Sequence, residues 1–246
     1  MVLASGTDEA FAPEPLDRAA LDRLADQMRA HGEQSLDALN QRLGALQDAS
    51  RVHAEAVLSQ RGALLAQFDA IRSLDRAGLR IRLHGDYHLG QVLRTEEDFV
   101  ILDFEGEPAR SIAERRAKHS PLKDVAGMLR SYSYAAYAAL IAFTVNGPDD
   151  YGALEPWADT WRHWVTEAFL KGYWTASGVS ALLPASEAAR QVLLDAFTLD
   201  KALYELGYEL NNRPDWVRIP LIGVRKLIGT GKSGAQPEMM DRRAPR

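Results

Sequence analysis

The chain has 246 residues, of which 46% are hydrophobic and 26% charged, a balance that supports a buried core and excludes a disordered protein. With 29 Lys and Arg against 34 Asp and Glu the formal net charge is −5, so the broad positive field used in non-specific nucleic-acid binding is missing and no nucleic-acid partner is expected. Cysteine is absent, which excludes disulfides, thiolate metal centres and cysteine nucleophiles and suits a reducing, cytoplasmic compartment.

After a lead-in punctuated by Pro13 and Pro15, Asp17 is a natural N-cap, and Leu21, Leu24 and Met28 recur at helical spacing. This predicts a short helix ending near Gly32. From Ser35 to Leu74 there is no proline, and Leu36, Leu39, Leu43, Leu46, Val57, Leu64, Leu65, Phe68 and Ile71 predict one long helix or two stacked ones. Arg80-Ile81-Arg82-Leu83 alternates, Gln91-Val92-Leu93-Arg94 is short and β-like, and Phe99-Val100-Ile101-Leu102 follows a polar turn, which predicts a small β-hairpin region between helices. Helical patterns return over Leu122 to Val145, Trp157 to Trp174 and Glu187 to Leu210. The uncharged run Ser131 to Pro148 is too short and too polar for a membrane span and reads as a buried helix; no membrane partner is expected. Trp157, Trp161 and Trp164 stand at i, i+4 and i+7, which predicts a core-packing stripe. The organisation expected is a lobe over residues 1–228 and a flexible tail over 229–246, in an α+β fold that is predominantly α-helical.

The chemistry is concentrated in His84-Gly85-Asp86-Tyr87-His88-Leu89-Gly90-Gln91 and Leu102-Asp103-Phe104-Glu105. Asp86 sits in a glycine-flanked loop, an amide follows five positions later at Gln91, and Asp103 closes the next strand. Phosphoryl transfer needs such a set, because a carboxylate must accept the hydroxyl proton while hard oxygen donors hold Mg²⁺ on the phosphates. The spacing equals the kinase pattern H-R-D-x-x-x-x-N followed by D-F-G, with Gly85 for Arg, Gln91 for Asn and Glu105 for Gly. Asp86 is the candidate base, and Asp103 with Gln91 the candidate Mg²⁺ ligands. His84 is read as bracing the loop through a backbone hydrogen bond and Asp124 as the buried carboxylate beneath it. Zinc is not expected at His84 and His88, since no third ligand stands at helical spacing. On a helix over Leu199 to Asn211, Leu199, Leu203, Leu206 and Leu210 fill one arc. Lys201, Tyr204, Tyr208 and Asn211 fill the opposite arc with Glu205 adjoining, a face suited to stacking and hydrogen-bonding a sugar or, in the plainer reading, a solvated face with a Lys201–Glu205 pair.

The H-G-D loop, its amide and the strand aspartate resemble the aminoglycoside-phosphotransferase and choline-kinase branch of the kinase-like superfamily. Within it, H-G-D-Y-H-L-G-Q-V-L, D-F-E-G-E-P, S-P-L-K-D-V-A-G-M-L-R and Y-E-L-x-Y-E-L-x-N-R-P-D-W resemble the bacterial maltokinase family from about Leu3 to Leu221. That resemblance implies the C-terminal lobe of a protein-kinase-like fold, with the hairpin carrying the catalytic loop. It implies transfer of phosphate from ATP, with Mg²⁺, to maltose to give maltose 1-phosphate, and association or fusion with trehalose synthase. It also implies sugar contacts for Lys201, Tyr204, Glu205, Tyr208 and Asn211. The glycine loop and strand lysine of a kinase N-lobe are not found before Asp86, so the expectation is a catalytic lobe that binds maltose weakly and transfers no phosphate on its own. Gly229-Thr230-Gly231-Lys232-Ser233-Gly234 imitates a phosphate loop but lacks the required glycine, which would fall at Lys226. Two other readings stand beside this one: a kinase of another small alcohol, such as an aminoglycoside or choline, and a non-catalytic docking lobe for trehalose synthase.

Overall fold

The computed structural model describes residues 8–108 and 110–230. The order is β1 (Glu14–Pro15), α1 (Arg18–Arg42), α2 (Asp48–Ser59), α3 (Arg61–Asp69), β2 (Leu79–Arg80), β3 (Val92–Arg94), β4 (Phe99–Ile101), α4 (Ile112–Arg116), α5 (Leu122–Thr144), α6 (Asp150–Thr175), α7 (Glu187–Asn212) and α8 (Arg218–Thr230). Most of the fold is helical, as the periodicity predicts. The strands form two antiparallel ribbons, β1 with β2 and β3 with β4; in the second, Val92 faces Ile101 and Arg94 faces Phe99.

Helix α7 lies at the centre, packed against α1, α5 and α8. Its leucine arc supplies Leu199, Leu203, Leu206 and Leu210, all buried, which leaves the opposite arc free for other work. Asp17 caps α1 by accepting from the Ala20 amide at 2.8 Å. The helix then continues through Gly32, where the sequence predicts its end. A β-carbon there would meet Phe68 Cε2 at 2.9 Å and Leu65 Cδ2 at 3.2 Å, so this glycine marks a close approach of α1 to α3 and not a stop. The hydrophobic run after it divides into α2 and α3, which bury Val57, Leu64, Leu65 and Phe68.

The tryptophan stripe departs from expectation. Trp157, Trp161 and Trp164 are 70%, 46% and 67% exposed, and α6 contains no buried residue. Phe169, Leu170 and Tyr173 pack on the main core, and Tyr151, Leu154 and Ala158 on a smaller cluster around Tyr137, so the helix is held by its other face. Among the described residues no helix is long and apolar enough to cross a membrane. Helix α8 includes Gly229 and Thr230; positions 231–246, where the sequence reading puts a tail, lie outside the described residues.

Candidate active site

The loop between β2 and β3 is fixed from below by α5. Asp124, in the first turn of α5, accepts from the His84 amide at 2.9 Å and from the Gly85 amide at 3.0 Å, one bond to each carboxylate oxygen. Burial pushes its carboxyl above the usual range, with the two backbone donors opposing. The helix can come this close because position 127 is glycine: a β-carbon there would lie 2.7 Å from the Tyr87 carbonyl oxygen. Gly85 turns the chain at φ 86°, a left-handed value that glycine adopts without cost. His84 is buried. Its Nε2 lies 2.7 Å from the Leu102 carbonyl and its Nδ1 3.3 Å from the Asp86 amide, so it donates to the first and accepts from the second, tying the loop to the end of β4. Its ring lies between Phe104 and Tyr87, at 5.0 and 5.7 Å.

Asp86 projects from this braced loop with its side chain 15% exposed. Lys201 Nζ of α7 stands 3.5 Å from Oδ1, and His88 Nε2 3.6 Å from Oδ2. Because His88 Nδ1 accepts from the Gly90 amide at 3.0 Å, the proton on Nε2 faces Asp86. On the hairpin, Gln91 Nε2 donates to Asp103 Oδ2 at 2.9 Å. Asp103 is the non-glycine residue with positive φ among those described, at 59°. Asp103 and the Gln91 amide oxygen are hard donors of the type Mg²⁺ takes when it keeps several waters and binds through phosphate oxygens, so this pair fits that ion. Among the described residues no group of three or more His, Cys, Asp or Glu side chains forms a fuller protein cage.

Of the five residues predicted on the sugar face, Lys201 and Tyr204 are brought to Asp86. Lys201 Nζ and the Arg110 guanidinium lie 5.0 and 5.6 Å from the Tyr204 ring centre, and Lys201 also reaches Glu107 at 3.9 Å. Burial, then Glu107, pushes the Tyr204 hydroxyl up. Tyr208 is half exposed one turn further, with Arg213 5.5 Å from its ring. Glu205 is engaged elsewhere: it takes two bonds from the buried Arg130, at 2.6 and 3.1 Å, and does not pair with Lys201. Asn211 accepts from Arg42 at 2.7 Å and donates to the Gly207 carbonyl, which ties the end of α7 to α1. Sequence reading passes over Glu107, although the doubled acid in D-F-E-G-E-P is a signal, and over Arg110. Trp216 stacks on Tyr134, which donates to Glu209 at 2.6 Å; these groups brace the end of α7.

No protein-family model matches the chain. Among curated proteins it is 31% identical over 192 residues to a glucosamine kinase of Mycolicibacterium smegmatis (strain ATCC 700084 / mc(2)155), covering 77% of this chain and 42% of the relative. It is 27% identical over 151 residues to a glucosamine kinase of Streptacidiphilus jiangxiensis, covering 60% and 32%. The chain thus spans 32% to 42% of the length of these two relatives. Among solved structures, a glucosamine kinase in crystal form B superposes with a TM-score of 0.68 at 21% identity, over 88% of this chain and 48% of that one. A glucosamine kinase in complex with glucosamine, ADP and inorganic phosphate gives 0.68 and 21%, over 88% and 46%. The chain therefore has the helical C-terminal lobe of a kinase-like fold, and its relatives by sequence are sugar kinases.

Proposed function

We propose that this chain is the acceptor-side lobe of an ATP-dependent sugar kinase, that Asp86 is its general base, and that its sugar is maltose, converted to maltose 1-phosphate. The observation that carries the reading is the 3.5 Å approach of Lys201 to Asp86 across 115 positions of sequence, which sets the tyrosine-bearing face of α7 beside the catalytic loop. Asp86 accepts the proton of the anomeric hydroxyl as its oxygen attacks the γ-phosphorus of ATP. His88 and Lys201 hold its two carboxylate oxygens in line. Asp103 and Gln91 would hold Mg²⁺, which when bound supplies positive charge against the phosphates. Lys201, Glu107 and the Tyr204 ring orient the sugar through hydroxyl hydrogen bonds and stacking.

The choice of maltose rests on the maltokinase-like motifs and on the second ring. Tyr204 and Tyr208 are one turn apart, a rise of about 6 Å, and so offer two aromatic surfaces in a row, as a disaccharide requires. A glucosamine kinase is the second reading, favoured by the names of the relatives. An amino sugar needs a carboxylate for its ammonium. Glu205 is committed to Arg130 and Asp200 to His31 at 2.7 Å, so Glu107 is the acid left to serve it.

The test is turnover in the full-length protein containing this lobe, with maltose and glucosamine as competing acceptors. Asp86→Asn is expected to cost about 10²–10⁴-fold in kcat while sugar binding persists. Near-normal turnover would reject Asp86 as base, and a preference for glucosamine that Glu107→Gln removes would replace maltose with the amino sugar.

A further inference from the structure

Away from Asp86, a second polar cluster gathers on α8. Arg218, Ile222, Arg225 and Lys226 fall on one face of that helix. Ile222, Arg225 and Lys226, with His53 of α2 and Glu155 of α6, line a cavity of about 290 Å³. Its charges are matched only in part. Lys226 is taken by Asp159 and the Tyr137 hydroxyl. Arg225 directs Nη1 at His53 Nδ1, an uncharged acceptor, at 2.5 Å, and Arg218 stacks 4.0 Å from the Tyr151 ring centre. Among the described residues neither guanidinium has a carboxylate within 4.0 Å, nor has Glu155 a cation. Arg218 Nε and the Tyr151 hydroxyl are buried without a hydrogen-bond partner, an arrangement that costs free energy until some group completes it.

We propose that this cavity is a binding site for a small phosphorylated sugar, its phosphate against Arg225, with Arg218 two turns earlier on the same face of α8 adding positive charge, and its hydroxyls against Glu155 and His53. Two guanidiniums on one helix face, neither in an ion pair with a carboxylate, favour an anion, and the planar fork of Arg225 suits phosphate oxygens. An isolated carboxylate and a neutral imidazole on the same wall select hydroxyl groups. Burial, then the charges of Arg225 and Arg218, pushes the His53 imidazole down to about 4, so at neutral pH its Nδ1 accepts from Arg225 while Nε2 keeps a proton to donate. The volume lies just below the roughly 300–1,000 Å³ typical of ligand pockets, which suits a monosaccharide phosphate better than a nucleotide. The residues are distinct from those around Asp86, so this site stands or falls apart from the kinase reading.

The test is an NMR titration of the whole chain, following the His53 imidazole and the Arg225 side chain, with glucose 1-phosphate, inorganic phosphate and glucose in turn. Glucose 1-phosphate is expected to shift both signals in the millimolar range and to raise the His53 midpoint, because the phosphate offsets the neighbouring guanidinium charges. Inorganic phosphate should bind at least about tenfold more weakly, and glucose should leave both signals in place. Arg225→Gln, at an exposed position, should keep its circular dichroism and melting temperature and lose at least about tenfold in affinity, while Asp86→Asn should respond as the parent does. No shift at His53, equal affinity for inorganic phosphate, full affinity in Arg225→Gln, or loss of the response in Asp86→Asn would each overturn the proposal.

Discussion

Replacing Asp124 by alanine tests how the loop from His84 to Gln91 is held. The carboxylate serves two backbone donors, the amides of His84 and Gly85, and no other acceptor is bonded to either. A buried donor deprived of its partner costs about 1–3 kcal/mol. His84 is buried, so its amide bears that cost in full, whereas Gly85 is partly exposed and water can replace part of its bond. The expected loss is about 2–4 kcal/mol, a substantial share of the 5–15 kcal/mol typical of a whole domain. At this chain length about 2–4 °C of melting temperature accompanies each kcal/mol, so Tm should fall by about 5–15 °C, with a matching drop in the urea midpoint at unchanged m-value. Asp124→Asn should recover part of the loss, since an amide oxygen can serve one donor while its nitrogen faces the other. Urea and thermal unfolding of the three proteins decide the matter. A change below about 0.5 kcal/mol for Asp124→Ala, the level of an ordinary surface substitution, would show that the loop is held by something else.

Three further outcomes are expected. Glu205→Ala strands the buried Arg130 and should cost about 3–5 kcal/mol in urea unfolding, whereas Arg130→Met with Glu205→Leu should cost far less, because an apolar pair of similar volume removes both buried charges. Gly32→Ala gains helix propensity worth up to about 1 kcal/mol but crowds Phe68, Leu65 and Leu203, all buried; overpacking of about 1–3 kcal/mol should win, and a variant more stable than the parent would refute the close approach of α1 and α3. Burial, then Lys123 and Arg80, depresses His119 to about 3, so the folded state binds fewer protons than the unfolded one below pH 6.5. Its contribution to stability is complete above pH 6.5 and is lost as pH falls toward 3, at up to about 1.4 kcal/mol per pH unit, and His119→Phe should flatten that slope in urea midpoints measured across the range.

The parts of the site legible in the sequence are those whose geometry is local. His84 to Gln91 and the strand ending at Asp103 form one loop and one hairpin, so spacing alone carries their arrangement. The arc of α7 was equally readable, because helical periodicity sorts leucines from tyrosines. Pairings across 75 or 115 positions were not, since they depend on where helices dock: Arg130 claims Glu205, and Lys201 turns to Asp86 instead of its neighbour one turn on. Gly32 misled because close helix contact and helix termination both favour glycine. The tryptophans of α6 misled because large apolar side chains are usually buried, and periodicity cannot tell which of two apolar stripes meets the core.

Asp103 holds a backbone conformation that glycine would adopt more cheaply. Replacing it with glycine would relieve a strain of about 1 kcal/mol and stabilise the hairpin, while removing the one carboxylate of the Asp103–Gln91 pair. Stability and the proposed cation-binding role therefore pull in opposite directions at this residue. A laboratory selection that rewarded only heat resistance or expression would favour the glycine, and its best survivors would be sturdier lobes without the proposed Mg²⁺ ligand. Only a selection that also demanded the proposed phosphate transfer would keep the aspartate in place.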